Sequence, residues 1–291
     1  MDRILAGTGS KVRITNYDTN GDPADAGGGN GTAVVTDSAG AAAPGSPYTA
    51  VRVSTGTYEV TLSATLTVLD VYDVDWTLPD TTHRSTQFEL VRTFLFAVAD
   101  LQALDSVLAN ETDFPIPTLV NARENAEQRF EEVADVSFTT RGARLRLDGN
   151  GRYNRNGDGF IGTGLQELQR VISCSVDGTA LTGPQLAELV VYRHGTIIWP
   201  ATRWVLGAGN ISMLVEHGYS TVPEPVRRAG LLYARTVLIR SAMEQSDRAT
   251  AVFTELGGYR LTLAGRDGPT GLPDVDAILA QFGRRPAGSF A

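Results

Sequence analysis

NISMLVEHGYSTVPEPVRRAGLLYARTVL, residues 210–238, decides the fold class. Its first part closes a β section that runs over 203–219. Pro223 or Pro225 then starts a helix, because proline fits the first helical turn, where its missing N–H costs nothing. The helix is predicted over roughly 224–245, with Val226, Ala229, Leu231, Leu232, Ala234, Val237, Leu238 and Ile239 apolar. So wide an apolar stripe predicts burial on more than one side. A strand section running straight into such a helix places the chain in the α+β class.

Working back, VISCSVDGTAL (171–181) alternates through Ile172, Cys174 and Val176 and turns at Asp177-Gly178, a hairpin signal. A strand pair is predicted over 186–200 around His194-Gly195. The Gly/Asn/Asp-rich stretch 146–164 reads as a loop or hairpin excursion. Residues 97–135 read as helical, first with Leu101, Leu104 and Leu108 on one face. Asp113 is a candidate N-cap before Pro115 and Pro117, and Ile116, Leu119, Ala126, Phe130 and Val133 follow at helical spacing. Arg123, Glu127, Glu131 and Glu132 fall elsewhere on that helix. Residues 9–92 read as β: TGTYEVTL (55–62) and LTVLDVYDVDWTL (66–78) alternate with period two, and turn clusters lie between. Short strands at this spacing predict a small β-sandwich. Downstream, Leu272, Val275, Ile278, Leu279 and Phe282 form a short apolar-spaced segment. The expected domains are therefore 1–95, a β-sandwich; 96–265, helices with inserted β-hairpins; and 266–291, a C-terminal segment.

The chain has 291 residues, 42% of them hydrophobic, enough to bury ordinary cores. Its one cysteine, Cys174, excludes an intrachain disulfide framework. A net charge of −8 argues against an overall DNA-clamping surface. Lys11 is the only lysine; the other basic residues are arginine, which reads mainly as the codon bias of a GC-rich genome, with forked ion pairs at subunit interfaces as the functional reading for some of them. The N-terminus carries no long apolar signal region. The most apolar later stretch, 230–239, holds Arg235 and is too short to span a bilayer. The expectation is a protein made in a cytoplasm that stays there or leaves inside a particle.

Chemical motifs are sparse. Asn154, Asn156, Asp158 and Gly159 resemble the first half of a calcium loop, but Leu165 stands where a bidentate glutamate is needed. Asp18, Asn20 and Asp22 share the spacing, with Pro23 in the glycine position. Asx-rich turns explain both. His83, His194 and His217 have no zinc-ligand spacing. No nucleophile elbow, P-loop or dinucleotide fingerprint occurs. The expectation is no catalytic residue, no metal and no cofactor.

Two stretches carry a resemblance. Residues 171–181 and 210–238, with the strand ending in His217-Gly218-Tyr219, then Val222-Pro223, then an apolar helix, resemble the core of tailed-phage head-to-tail connector proteins of the adaptor type. GLPDVDAILAQFGR (271–284) is similar to the C-terminal end of such proteins. The resemblance implies a helical bundle around a small antiparallel β-structure, and a ring of identical subunits, a dodecamer, in the neck of the virion. It implies as partners the portal protein, the stopper or tail proteins, and packaged DNA passing through the channel without sequence-specific binding. Leu272, Pro273, Val275, Ile278, Leu279 and Phe282 would dock on the portal. Val226, Leu231, Leu232, Val237, Leu238, Met213 and Val215 would hold the adaptor core and ring interface. Residues 9–92 resemble the Ig-like modules of phage structural and bacterial surface proteins. The alternative expectation is a tail or baseplate protein that binds host glycans through this module, using aromatics such as Tyr17, Tyr48 or Trp76.

Overall fold

The computed structural model describes residues 2–242, 251–254, 257–260 and 268–283. The N-terminal third gives strands β1 (Asp2–Leu5), β2 (Lys11–Thr15), β3 (Gly31–Asp37), β4 (Tyr48–Ser54), β5 (Thr57–Thr61), β6 (Val71–Thr77) and β7 (His83–Val91). Helix α1 (Val98–Leu104), a 3-10 turn (Ser106–Ala109) and helix α2 (Ile116–Ala134) follow. Then come β8 (Arg141–Gly149), β9 (Gly159–Gly162), β10 (Leu168–Val176), β11 (Thr179–Ala180), α3 (Gly183–Glu188), β12 (Val190–Tyr192), β13 (Thr196–Trp199) and β14 (Gly207–His217). Helix α4 (Glu224–Ala242), the hairpin β15 (Ala251–Thr254) and β16 (Gly257–Arg260), and α5 (Pro273–Phe282) complete the order.

One eleven-stranded sheet dominates. Its path is β11-β10-β14-β8-β7-β6-β3-β4-β5-β2, with β1 added in parallel to β7. All other pairings in it are antiparallel. This overturns the expectation of an Ig-like β-sandwich followed by a helical bundle with a small β-structure. The N-terminal strands do not close on themselves. The sheet curls and continues through the Val91–Arg141 pair into β8, β14 and β10. These three strands have 9, 11 and 9 residues, so they form a main wall rather than inserted hairpins. The physical reason lies in β8, where Ala143, Leu145 and Leu147 alternate and pack inward, a period-two signal masked by the arginines between them. Gly142 lets β8 cross close to the preceding chain: a Cβ there would lie 1.8 Å from the carbonyl oxygen of Leu69.

Three apolar clusters fill the molecule. The curled N-terminal strands enclose Val35, Tyr58, Val60, Val74, Trp76 and Phe88. α1, α2, α4 and α5 enclose Leu101, Leu119, Phe130, Val226, Ala234, Val275 and Leu279. β8, β10 and β14 pack Cys174, Ile211, Met213 and Val215 against Ile161, Ile197, Trp199 and Trp204 of the small β12-β13-β9 sheet and the segment after it. The exposed edge strand β2 is protected by charge, since Lys11 and Arg13 both pair with Glu59 of β5 at 2.7 Å.

Candidate functional site

The largest concentration of buried charge lies where β1, β7 and β8 meet α2. Arg3, on β1, sends each guanidinium nitrogen to a different carboxylate. Its Nε lies 3.3 Å from Glu89, Nη1 2.6 Å from Glu127 and Nη2 2.7 Å from Glu131. Arg141, at the start of β8, forks onto both oxygens of Glu89 and reaches Glu131 at 2.5 Å. Glu127 accepts the backbone N–H of Leu95 at 2.7 Å, and Glu131 accepts the Ser137 hydroxyl at 2.9 Å. Every carboxylate oxygen of Glu89, Glu127 and Glu131 therefore meets a protein donor. Glu127 and Glu131 sit one turn apart on α2, and β1 reaches them because its parallel pairing with β7 sets Arg3 beside Glu89.

Burial by itself would lower the pKa of Arg3, but Glu131 and Glu127 outweigh it and hold the guanidinium above the ordinary arginine value. Burial pushes the Glu124 carboxyl up, against the Arg3 backbone N–H that favours its charged form. Arg123 is pushed down by burial. It stacks on the Phe94 ring at 3.5 Å. A cleft of about 370 Å³ opens over the network, lined by Arg3, Glu89, Glu124, Asn125, Gln128, Glu131 and Arg141.

His217 closes β14 on the other side of Arg141 and Glu131, in a smaller cleft of about 180 Å³ with Ser137 and Gln166. Burial, then the nearby Arg141, pushes its imidazole down to about 4, so it is neutral at neutral pH. A histidine held neutral stabilises the fold fully above its ordinary value of 6.5, and that contribution is lost as pH falls toward about 4. Glu124 works in the opposite direction. Comparison with His217→Gln isolates the imidazole: the wild type should lose about 3 kcal/mol more than the variant between pH 7 and pH 4. Urea titrations of both proteins at several pH values check this, and parallel pH profiles would remove the claim.

The expected turn geometry is present at both calcium-like stretches. Asn154 Oδ1 accepts the N–H groups of Asn156 and Asp158, and Asp18 Oδ1 those of Asn20 and Asp22. Among the described residues no group of His, Cys, Asp and Glu is arranged to hold a metal. Cys174 is buried, and burial pushes its thiol up to about 11, which makes it a weak nucleophile at neutral pH. Trp76 lies in the N-terminal core, fully buried, so of the aromatics proposed for glycan stacking it is withdrawn. Tyr48 is partly buried, its hydroxyl bonded to the Pro44 carbonyl, and Tyr17 is exposed.

The residues assigned to ring and portal contacts fall in several places. Val226, Leu231 and Leu238 are buried among the helices, while Leu232 and Val237 face outward on α4. Met213 and Val215 belong to a different cluster, under β10 and β14. In α5, Val275 and Leu279 are fully buried. Leu272, Ile278 and Phe282 pack beside them, and Pro273 is exposed. Phe282 meets Phe138 and Tyr219 edge-on, both at 6.3 Å. Docking through Val275 and Leu279 would require α5 to leave α2 and α4 first, whereas Pro273 is accessible where it stands.

No protein-family model matches the chain, and no curated protein matches it. No described helix is long and apolar enough to cross a membrane.

Proposed function

We propose that the chain is a non-catalytic structural subunit of a tailed-phage particle, a head-to-tail adaptor that forms a homo-oligomeric ring in the neck of the virion. Its partners in this reading are the portal protein, the stopper or tail proteins, and DNA that passes through the channel without being read. One observation carries the non-catalytic part. The best-developed buried polar site among the described residues is a network whose carboxylate oxygens all accept from protein donors, so the groups it turns to the cleft above, Arg3, Glu89, Glu131 and Arg141, are already paired with one another and tie β1, β7 and β8 to α2. The phage assignment rests on the sequence resemblance of 210–238 and 271–284. In its favour, the strand–proline–helix joint exists as read: β14 ends at His217 and α4 begins at Glu224.

The test is to mix the purified chain with the portal ring of the phage that encodes it and image the product by electron microscopy. A ring of added density on the tail-facing end of the portal is the expected result. Localisation of the chain along the tail or at its tip would overturn the reading in favour of host-surface binding.

A further inference from the structure

Most arginines of this chain are matched by its own carboxylates. Arg52 pairs with Asp25, Arg144 with Asp37 and Asp70, Arg170 with Glu216, Arg227 with Asp100, and Arg235 with Asp105. The tip built from 151–155 and 203–206 is different. Arg152, Arg155 and Arg203 are exposed, and no carboxylate among the described residues pairs with them. The Arg203 guanidinium instead lies over the exposed Tyr153 ring at 4.4 Å. Beside it Val205 is 50% exposed and Leu206, the most exposed large apolar side chain among the described residues, is 77% exposed. Gly151 donates its N–H to the Trp204 carbonyl at 3.1 Å, which joins the two segments into one surface. Its centre is apolar and its rim cationic, the usual build of a protein interface.

The complementary surface is on the same chain. Between Arg92 and Arg123 the sequence contains no lysine, arginine or histidine. This stretch holds α1, the 3-10 turn and the start of α2, where Leu104, Val107 and Ile116 are exposed. Asp100 and Asp105 are already engaged by arginines of α4, which leaves Glu111 and Asp113 on the outside. This knob is apolar with an acidic rim. The contrast extends further: residues 1–140 carry 8 basic and 20 acidic side chains, and 141–217 carry 8 arginines and 6 carboxylates.

We infer that the tip around Tyr153, Arg203 and Leu206 of one copy docks on the acidic knob around Val107, Glu111 and Asp113 of a second copy of this chain. Tip and knob are different surfaces, so the contact is head-to-tail and each copy keeps one of each free for the next. Such contacts close into rings when the rotation allows. The inference supplies the subunit contact for the proposed ring and rests on that reading. The arginine forks suit the carboxylates, and Arg203 is held flat on Tyr153 before contact.

The experiment is sedimentation of the full chain over a concentration series at low and high salt, with two charge-reversed variants. One carries Arg152→Glu and Arg155→Glu; the other carries Glu111→Arg and Asp113→Arg. All four positions are exposed, so thermal melting should match the wild type. The wild type is expected to associate, less so at high salt. Each variant alone should associate about ten-fold or more weakly, and a mixture of the two should recover association. A wild type that stays monomeric, or variants that associate like it, overturns the inference. So does a tip reversal that abolishes binding of a duplex oligonucleotide and leaves self-association intact, since the tip would then serve nucleic acid. Decoration of the portal separates the two readings. Reversed variants that still decorate it refute this contact and leave the ring standing. A wild type that associates through tip and knob but ignores the portal refutes the neck assignment and leaves the contact standing.

Discussion

Replacing Val275 and Leu279 together with alanine is expected to remove about 4–6 kcal/mol of stability, enough to unfold the helical layer of a marginally stable protein. Both side chains are fully buried between α2 and α4. Truncating a buried leucine costs about 2–5 kcal/mol, because the lost transfer energy is joined by the cost of a cavity the neighbours only partly fill. The valine lies one turn away on the same helix, so the two losses share a cavity and will not add exactly in proportion. Arg129 adds a tether from α2, since its guanidinium donates from Nε to the Pro269 carbonyl just before α5 at 3.1 Å. Denaturation followed by circular dichroism gives the number. A loss under about 1 kcal/mol would show that α5 is an appendage, as a segment reserved for a partner would be. By the same logic truncation after Ala264 should destabilise the helical layer, because it removes α5 from its core and uncovers Ala134 and Phe138.

The packing of α5 on α2 and α4 was not legible in the sequence. Leu272, Val275, Ile278, Leu279 and Phe282 display helical spacing, so the helix itself is visible. What covers its apolar face is a tertiary question, and periodicity is silent about partners. The same limit applies to the sheet. β5, β6, α2 and the body of α4 follow the alternation and stripe that the sequence shows, and Tyr58, Val60, Val74 and Trp76 are core as their spacing implies. The continuation through Val91 and Arg141 is invisible, because two residues 50 positions apart pair through backbone atoms that carry no sequence signal. The buried charge site leaves no mark in the pattern of α2, since Glu127 and Glu131 lie off its apolar stripe. One clue existed: Glu89 sits inside FELV (88–91), an apolar run in which a lone carboxylate demands a partner. The two arginines that answer it come from residues 3 and 141, which local pattern cannot connect.

Arg3→Ala should cost about 3–5 kcal/mol. The Arg3 guanidinium is buried and divided among Glu89, Glu127 and Glu131, and its backbone N–H reaches Glu124 at 3.1 Å. Removing it leaves Arg141 to serve Glu89 and Glu131, but Glu127 keeps only the Leu95 N–H and the more distant Arg123, 4.0 Å away. The penalty comes from that stranded carboxylate rather than from the attraction lost, because an uncompensated buried charge costs more than a paired one gains. Three further variants separate these terms. Arg3→Lys keeps the charge and three N–H donors, yet its compact ammonium lacks the planar span by which Nε, Nη1 and Nη2 reach three separate carboxylates, so it should recover only part of the loss. Arg3→Met combined with Glu127→Met removes both the cation and the carboxylate it strands, and should be more stable than Arg3→Met alone by about 2 kcal/mol or more. Chemical denaturation of the three proteins decides it. If the double variant is no better than Arg3→Met, the network does not tie the N-terminal strand to α2 in the way its geometry requires. If it recovers, the first strand of the sheet is fastened to the helical layer by charge, and pulling β1 away should loosen α2 before it disturbs the apolar core beneath β6.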